Sequence, residues 1–320
     1  MKAVAGILAR FGVKETRTEF VSDFCCAIYK VSYRDGKGSR SAALRIYPQW
    51  ETDRSHVEAE IMWLQSLNRE TDLLVPRPLV GVDGEAIQVI ADPGTGSRRF
   101  AVLLTWMEGE HFDEFLSAEK FRGVGRLLGE LHEHSQRFML PGVVPYRQSA
   151  YLIDDDTWRT RGALSDEDAR VLVSAEEVLM TQLADFDGDL ELYGFLHADF
   201  HLWNLLFQGD NAVAIDYSDC GWGTYTYDIA TALFYLKYPL VGNHDHRQNY
   251  ERFEDAFLSG YTDARPVPGN FEKALPVCFA ARMLVIAQWV LCDTGSIDEM
   301  PWGPGCVAGT VDYLREYVDT

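Results

Sequence analysis

The sequence predicts an α+β protein of two lobes, a small N-terminal antiparallel β-sheet lobe over 1–105 and a larger, mainly helical C-terminal lobe over 106–320. Three observations predict it. Through the first hundred residues, runs rich in β-branched and aromatic side chains alternate with turn formers. From Phe112 onward apolar residues recur at helical spacing, and one short hairpin pattern, "LLFQGDNAVAIDY" (205–217), interrupts the helices. A chain of 320 residues is also long enough for about two domains.

The opening "MKAVAGILARFGVK" reads as a first surface helix, because Arg10 breaks its apolar run and no small-residue cleavage site follows, unlike a signal peptide. "CCAIYKVSYR" and "SRSAALRIYP", separated by the turn-forming "DGKG", predict a hairpin. In "SHVEAEIMWLQSLNRE" the recurrence of Val57, Ile61, Leu64 and Leu67 predicts a helix over about 55–69, with Ser55 and Glu58 as a capping box and "VPRPL" ending it. Strands follow in "EAIQVIAD" and "RRFAVLLTWM", closed by "EGE". Phe121, Val124, Leu128 and Leu131 mark one helix face, and further helices are expected around 165–184, 246–260, 271–291 and 307–318. The run "LPVCFAARMLVIAQWVLC" (275–292) is long enough to suggest a membrane span. Pro276, Arg282 and Gln288 interrupt it, so it reads as the most buried helix of the helical lobe, with no membrane partner. No internal repeat is evident. A connector at "TWMEGE" joins the lobes, and a cleft between them is the expected ligand site.

Charge narrows the function. With 49 acidic against 29 basic side chains the net charge is −20, which repels phosphate backbones and excludes nucleic acid as a partner. A cationic small molecule fits that field, although acidity also simply maintains solubility. The six cysteines, Cys25, Cys26, Cys220, Cys278, Cys292 and Cys306, show no C-x-x-C spacing and fit a reducing cytoplasm.

The chemistry concentrates in "GFLHADFHLWNLLF" (194–207), where two histidines, an aspartate and an asparagine stand inside an apolar run. Asp199 and Asn204 precede the first strand of the hairpin and Asp216 follows the second, so the three are expected to converge at one end. Two carboxylates and an amide form an oxygen-rich set suited to a hard cation such as Mg²⁺. A carboxylate beside the cation could accept a proton from an attacking hydroxyl. His197 and His201 with Asp199 also supply ligand types for a metal-dependent hydrolase, the competing reading of "HADFH".

The run His197-Ala198-Asp199-Phe200-His201-Leu202-Trp203-Asn204, the "IDY" at 215–217, the following "GWG" and the "YDIA" at 227–230 together resemble the aminoglycoside phosphotransferase, choline kinase and type II homoserine kinase group of the protein-kinase-like superfamily. The resemblance implies a bilobal protein-kinase-like fold and Mg-dependent transfer of the γ-phosphate of ATP to a hydroxyl of an aminoglycoside-, choline- or homoserine-like acceptor. It implies Asp199 as catalytic base, with Asn204 and Asp216 as metal ligands. Arg45 in "ALRIY" stands where the group has a lysine on the α- and β-phosphates, paired with Glu60, and Trp106 and Met107 stand at the adenine-reading hinge. Asp228 would brace the catalytic loop, and His197 would orient it. No G-x-G-x-x-G is present. Acidic and aromatic stretches, including "FEDAF", "SIDEM", Trp222, Tyr225 and Trp289, suggest a cationic or sugar-like acceptor. A protein Ser/Thr hydroxyl is the alternative acceptor. The identity of the acceptor, ATP against GTP, and the oligomeric state have no signature in the sequence.

Overall fold

A computed structural model describes residues 2–14, 17–23, 26–36, 38–48, 54–91, 95–111, 117–139, 164–186, 189, 191–238, 247–293 and 303–319. They divide into two compact units, one drawn from 1–109, 138–146 and 213–218, the other from 110–137, 147–212 and 219–320.

The first unit is built on an antiparallel sheet. Its strands are β1 (Arg17–Ser22), β2 (Ala27–Asp35), β3 (Gly38–Ile46), β4 (Pro78–Leu79), β5 (Ile87–Ala91) and β6 (Arg98–Thr105). The order is β1-β2-β3-β6-β4, with β5 also paired to β6. The expected hairpin is β2–β3, in register from Ala27↔Ile46 to Asp35↔Gly38. Lys37 of its turn and Cys25 lie outside the described residues. Pleating sends alternate side chains to opposite faces. Val31, Ala42, Leu44, Ala101 and Leu103 form one core with Val4, Ile7, Leu8 and Phe11 of helix α1 (Lys2–Arg10) and its C-terminal end. Ala43 and Arg45 therefore belong to the opposite face.

Helix α2 spans Arg54–Glu70. The expected capping box is not formed. Ser55 lies inside the helix and is buried, and Glu58 pairs one turn back with Arg54, Nε to Oε1 2.6 Å. The helix is already running at Ser55, so the extended backbone of an N-cap is not available there. Trp63 of α2 is fully buried and meets the Tyr217 ring edge-on at 5.4 Å, so the segment after the later hairpin completes this unit.

In the second unit, helices α3 (Ala118–Ser135), α4 (Asp166–Ala184), α5 (Tyr225–Lys237), α6 (Tyr250–Ala264), α7 (Phe271–Asp293) and α8 (Gly303–Val318) surround two small sheets, β10-β9-β7 and β11-β8. Their strands are β7 (Glu110–His111), β8 (Tyr193–Leu196), β9 (Leu205–Gln208), β10 (Asn211–Ala214) and β11 (Gly221–Thr224). Helices α3 and α6 touch backbone to backbone. A Cβ on Gly125 would stand 1.9 Å from the Phe257 carbonyl oxygen, so only glycine fits that crossing.

Helix α7 is long and apolar enough to cross a membrane by length and composition alone, yet 78% of its most apolar window is buried in the protein, and it packs against α4, α5 and α8. Pro276 stands in its second turn without ending it. Helices α6 and α8 begin at Tyr250 and Gly303, where the sequence spacing suggested about 246 and 307; "SIDEM" lies outside the described residues.

Candidate active site

The loop after β8 carries the candidate base. Strand β8 pairs antiparallel with β11, Leu196 opposite Gly221, and α5 starts directly after β11. Asp228, in the first turn of α5 and fully buried, accepts three N–H donors. The His197 amide reaches Oδ2 at 2.8 Å, the Ala198 amide reaches Oδ1 at 2.7 Å, and His132 Nε2 lies 3.1 Å from Oδ2. Asp228 thus braces the loop. Ala198 holds φ = 65°, a left-handed conformation costing a non-glycine residue about 1–2 kcal/mol, and the Asp228 contacts fix it. The His197 ring is fully buried and meets Phe200 edge-on at 5.5 Å, a place in the core below the loop.

His132 is neutral and its tautomer follows from its partners. A carboxylate only accepts, so Nε2 carries the proton toward Asp228 and Nδ1, 2.8 Å from the Tyr261 hydroxyl oxygen, accepts that O–H. Burial lowers the His132 pKa below the usual imidazole value despite Asp228. The unfolded chain then binds a proton at His132 near pH 6.5 that the folded chain refuses, so this contribution to stability is present above about pH 6.5 and lost as pH falls through it. Urea unfolding midpoints should decline between pH 7.5 and 5.5, and the slope should flatten in His132→Gln.

Asp199 is held from two sides. Asn204 Nδ2, in the 3₁₀ turn Leu202–Asn204, donates to Asp199 Oδ2 at 2.8 Å and to its carbonyl at 3.0 Å. His201 Nε2 stands 3.1 Å from Oδ2, so His201 faces the Asp199 carboxylate and is not turned to solvent. Arg282 Nη2, from α7, reaches Oδ1 at 2.6 Å. Burial opposes the charged form of Asp199, but His201 and Arg282 outweigh it and hold the carboxyl well below the usual carboxylate range. With its amide nitrogen turned to Asp199, Asn204 keeps its carbonyl oxygen as the atom a hard cation would take. Trp203, 38% exposed, stands edge-on to Tyr235 at 4.7 Å and to His201 at 5.6 Å.

The first unit gathers the other expected residues. Arg45 Nη1 meets Glu60 Oε1 at 2.8 Å and Arg45 Nη2 meets Asp216 Oδ1 at 2.9 Å, while the Tyr47 hydroxyl donates to Glu60 Oε2. Burial opposes the Arg45 charge, and Asp216 and then Glu60 overcome it, keeping the guanidinium charged. Asp216 adopts φ = 62°, which aspartate tolerates better than most residues, and Ser218 Oγ donates to its Oδ1 at 2.9 Å. Beyond β6, the Trp106 N–H donates to the Ser41 carbonyl at 3.1 Å, and Lys30 Nζ lies 4.4 Å from its ring centroid. That N–H is occupied within the sheet. Met107 follows it.

The structure therefore brings Asp199 and Asn204 together in one unit and Arg45, Glu60 and Asp216 together in the other. Sequence reasoning missed Arg282 as a site residue; its signal was a lone guanidinium in an apolar run, which demands a partner when buried. It also placed Tyr225 at the acceptor wall. Tyr225 is fully buried instead, with the Arg265 guanidinium 4.2 Å from its ring centroid. Among the described residues, no group of three or more His, Cys, Asp or Glu side chains is gathered as a metal centre would require, which gives the hydrolase reading no support.

Comparison with known proteins gives a consistent result. Amicoumacin kinase of Bacillus subtilis (strain 168) is 23% identical over 89% of this chain and 83% of its own. The solved structure of amicoumacin kinase hAmiN, in complex with AMP-PNP, Ca²⁺ and Ami, superposes with a TM-score of 0.80 at 20% identity, covering 98% of this chain and 93% of that one. The structure of a microcompartment-associated aminopropanol kinase superposes at 0.78 with 25% identity, covering 99% and 97%. These likenesses establish the α+β protein-kinase-like fold. The model of the phosphotransferase enzyme family (APH) matches residues 29–267, well over half of the sequence, and the chain belongs to that family.

Proposed function

We propose that this phosphotransferase moves the γ-phosphoryl group of ATP to a hydroxyl of a small amine-bearing alcohol. The observation that carries the reading is Asp199, fixed by Asn204 on one carboxylate oxygen and by Arg282 on the other. The acceptor O–H loses its proton to Asp199, its oxygen bonds to the γ-phosphorus, the bond from phosphorus to the β,γ-bridging oxygen breaks, and ADP leaves. A carboxylate held so far below its ordinary pKa removes little proton beforehand. Its main work is to orient the O–H and receive the proton as the new bond forms.

Arg45, charged and braced by Glu60, is proposed to hold the non-transferred phosphates, with the hinge at Trp106 and Met107 against the adenine. Because the Trp106 N–H is occupied, its carbonyl and the Met107 backbone are the groups proposed for that contact. Asn204 and Asp216 are proposed as Mg²⁺ ligands; an amide carbonyl and a carboxylate are hard oxygen donors that fit this cation. When bound, Mg²⁺ neutralises charge on the phosphates. The aminopropanol kinase is named for an amine-bearing alcohol, and the exposed ring of Trp203, edge-on to the His201 that meets Asp199, suits an ammonium group. A cytoplasmic location belongs to the proposal, supported by the free thiols of Cys278 and Cys306.

The test is a panel of 1-amino-2-propanol, ethanolamine, choline, homoserine, kanamycin and amicoumacin, scored by ADP release against water. One amine-bearing alcohol should raise release by about tenfold or more. A flat panel with phosphorylation of a protein substrate would replace the acceptor by a Ser/Thr side chain.

A further inference from the structure

Arg282 lies 83 residues beyond Asp199 in the chain and touches it, on the helix least suited to carry a charge. The residue is 6% exposed. Its Nη2 reaches Asp199 Oδ1 at 2.6 Å and the Tyr235 hydroxyl oxygen at 3.1 Å, and the Tyr227 hydroxyl also interacts with the guanidinium. Nε is buried and has no hydrogen-bond partner among the described residues. A buried ion pair is weak evidence for stability, since desolvating the two charges offsets much of their attraction. Its position calls for a different explanation.

The geometry around Asp199 supplies one. Asn204 and His201 come from the same loop as Asp199 and both engage Oδ2, so they leave the carboxylate able to swing about that oxygen. Arg282 engages the other oxygen from a separate helix, and Tyr235 of α5 holds Arg282 in turn. Three donors from two elements, acting on both oxygens, leave the carboxylate a single orientation.

We propose that Arg282 is the positioning residue of the catalytic base: reaching Asp199 Oδ1 from α7, with Tyr235 behind it, it fixes the direction in which the carboxylate meets the acceptor hydroxyl. The inference rests on the phosphotransfer reading above. It makes the packing of α5 and α7, and not the catalytic loop alone, responsible for the aim of the base.

The experiment is a double-mutant cycle on the full chain, comparing Arg282→Gln, Asp199→Asn and the pair. Turnover is read as ADP release from Mg-ATP with the panel alcohol that raises release most as acceptor and, separately, with water. Arg282→Gln should lower kcat by about thirtyfold or more with KM for ATP within about twofold, and that loss should shrink to within about twofold once Asp199 is already Asn. Tyr235→Phe, which keeps the ring and removes only the hydroxyl, guards against misfolding of the Gln variant. It should lower kcat by about three- to tenfold with an unchanged melting temperature. Arg282→Lys should restore part of the rate.

Equal losses from Arg282→Gln in both Asp199 backgrounds would overturn the positioning role while leaving the phosphotransfer reading intact. So would full kcat in Tyr235→Phe together with full kcat in Arg282→Gln. Unaltered turnover in Asp199→Asn itself would instead remove the reading and the inference with it.

Discussion

Asp199→Asn is expected to reduce kcat by about 10²–10⁴-fold while changing KM for ATP little, as steady-state ADP release would show. Asparagine is the informative replacement. It keeps an oxygen for Arg282 Nη2 at the Oδ1 position, 2.6 Å away in the native protein, so that guanidinium is not stranded in the core. Alanine would strand it, and loss of activity would then mix with loss of fold. The asparagine side chain can neither take a proton nor balance the positive charge of Arg282. A variant that turned over at the wild-type rate would remove Asp199 from the chemistry.

Asp228→Ala should be the most damaging change for stability, costing about 3–5 kcal/mol and lowering the melting temperature by about 10 °C or more. The magnitude follows from the donors left behind: the amides of His197 and Ala198 and the His132 ring, all buried. Each buried donor without an acceptor costs about 1–3 kcal/mol. The loop would also lose what fixes the left-handed backbone at Ala198, so activity should fall further than the folded fraction accounts for. Calorimetry and turnover on the same preparation would separate the two losses. A melting temperature within about 2 °C of wild type would show that water replaces the carboxylate.

Much of this was legible in the sequence where a local pattern carries the information. The β2–β3 hairpin, α2 and the β9–β10 hairpin follow from alternation, helical spacing and turn residues. Arg45 and Glu60 could be matched because each stands in a motif-bearing segment. Other features have no local signature. Helix α5 is buried over Tyr225–Leu236, so no polar face marks its period. Strands β8 and β11 are four residues each and rich in glycine. The cap assigned to Ser55 and Glu58 failed because the helix starts one residue earlier. Arg282 shows the limit most clearly: its type and its apolar surroundings were visible, but which carboxylate it meets depends on packing between segments 83 residues apart.

The smaller unit is discontinuous in the chain. Its Arg45 waits for Asp216 and its Trp63 for Tyr217, both supplied by the segment 213–218. During synthesis, then, the amino-terminal sheet cannot reach its finished state until more than two hundred residues have left the ribosome. A fragment ending at residue 109 would leave the Arg45 guanidinium with Glu60 but without Asp216, and the Trp63 indole without the Tyr217 ring.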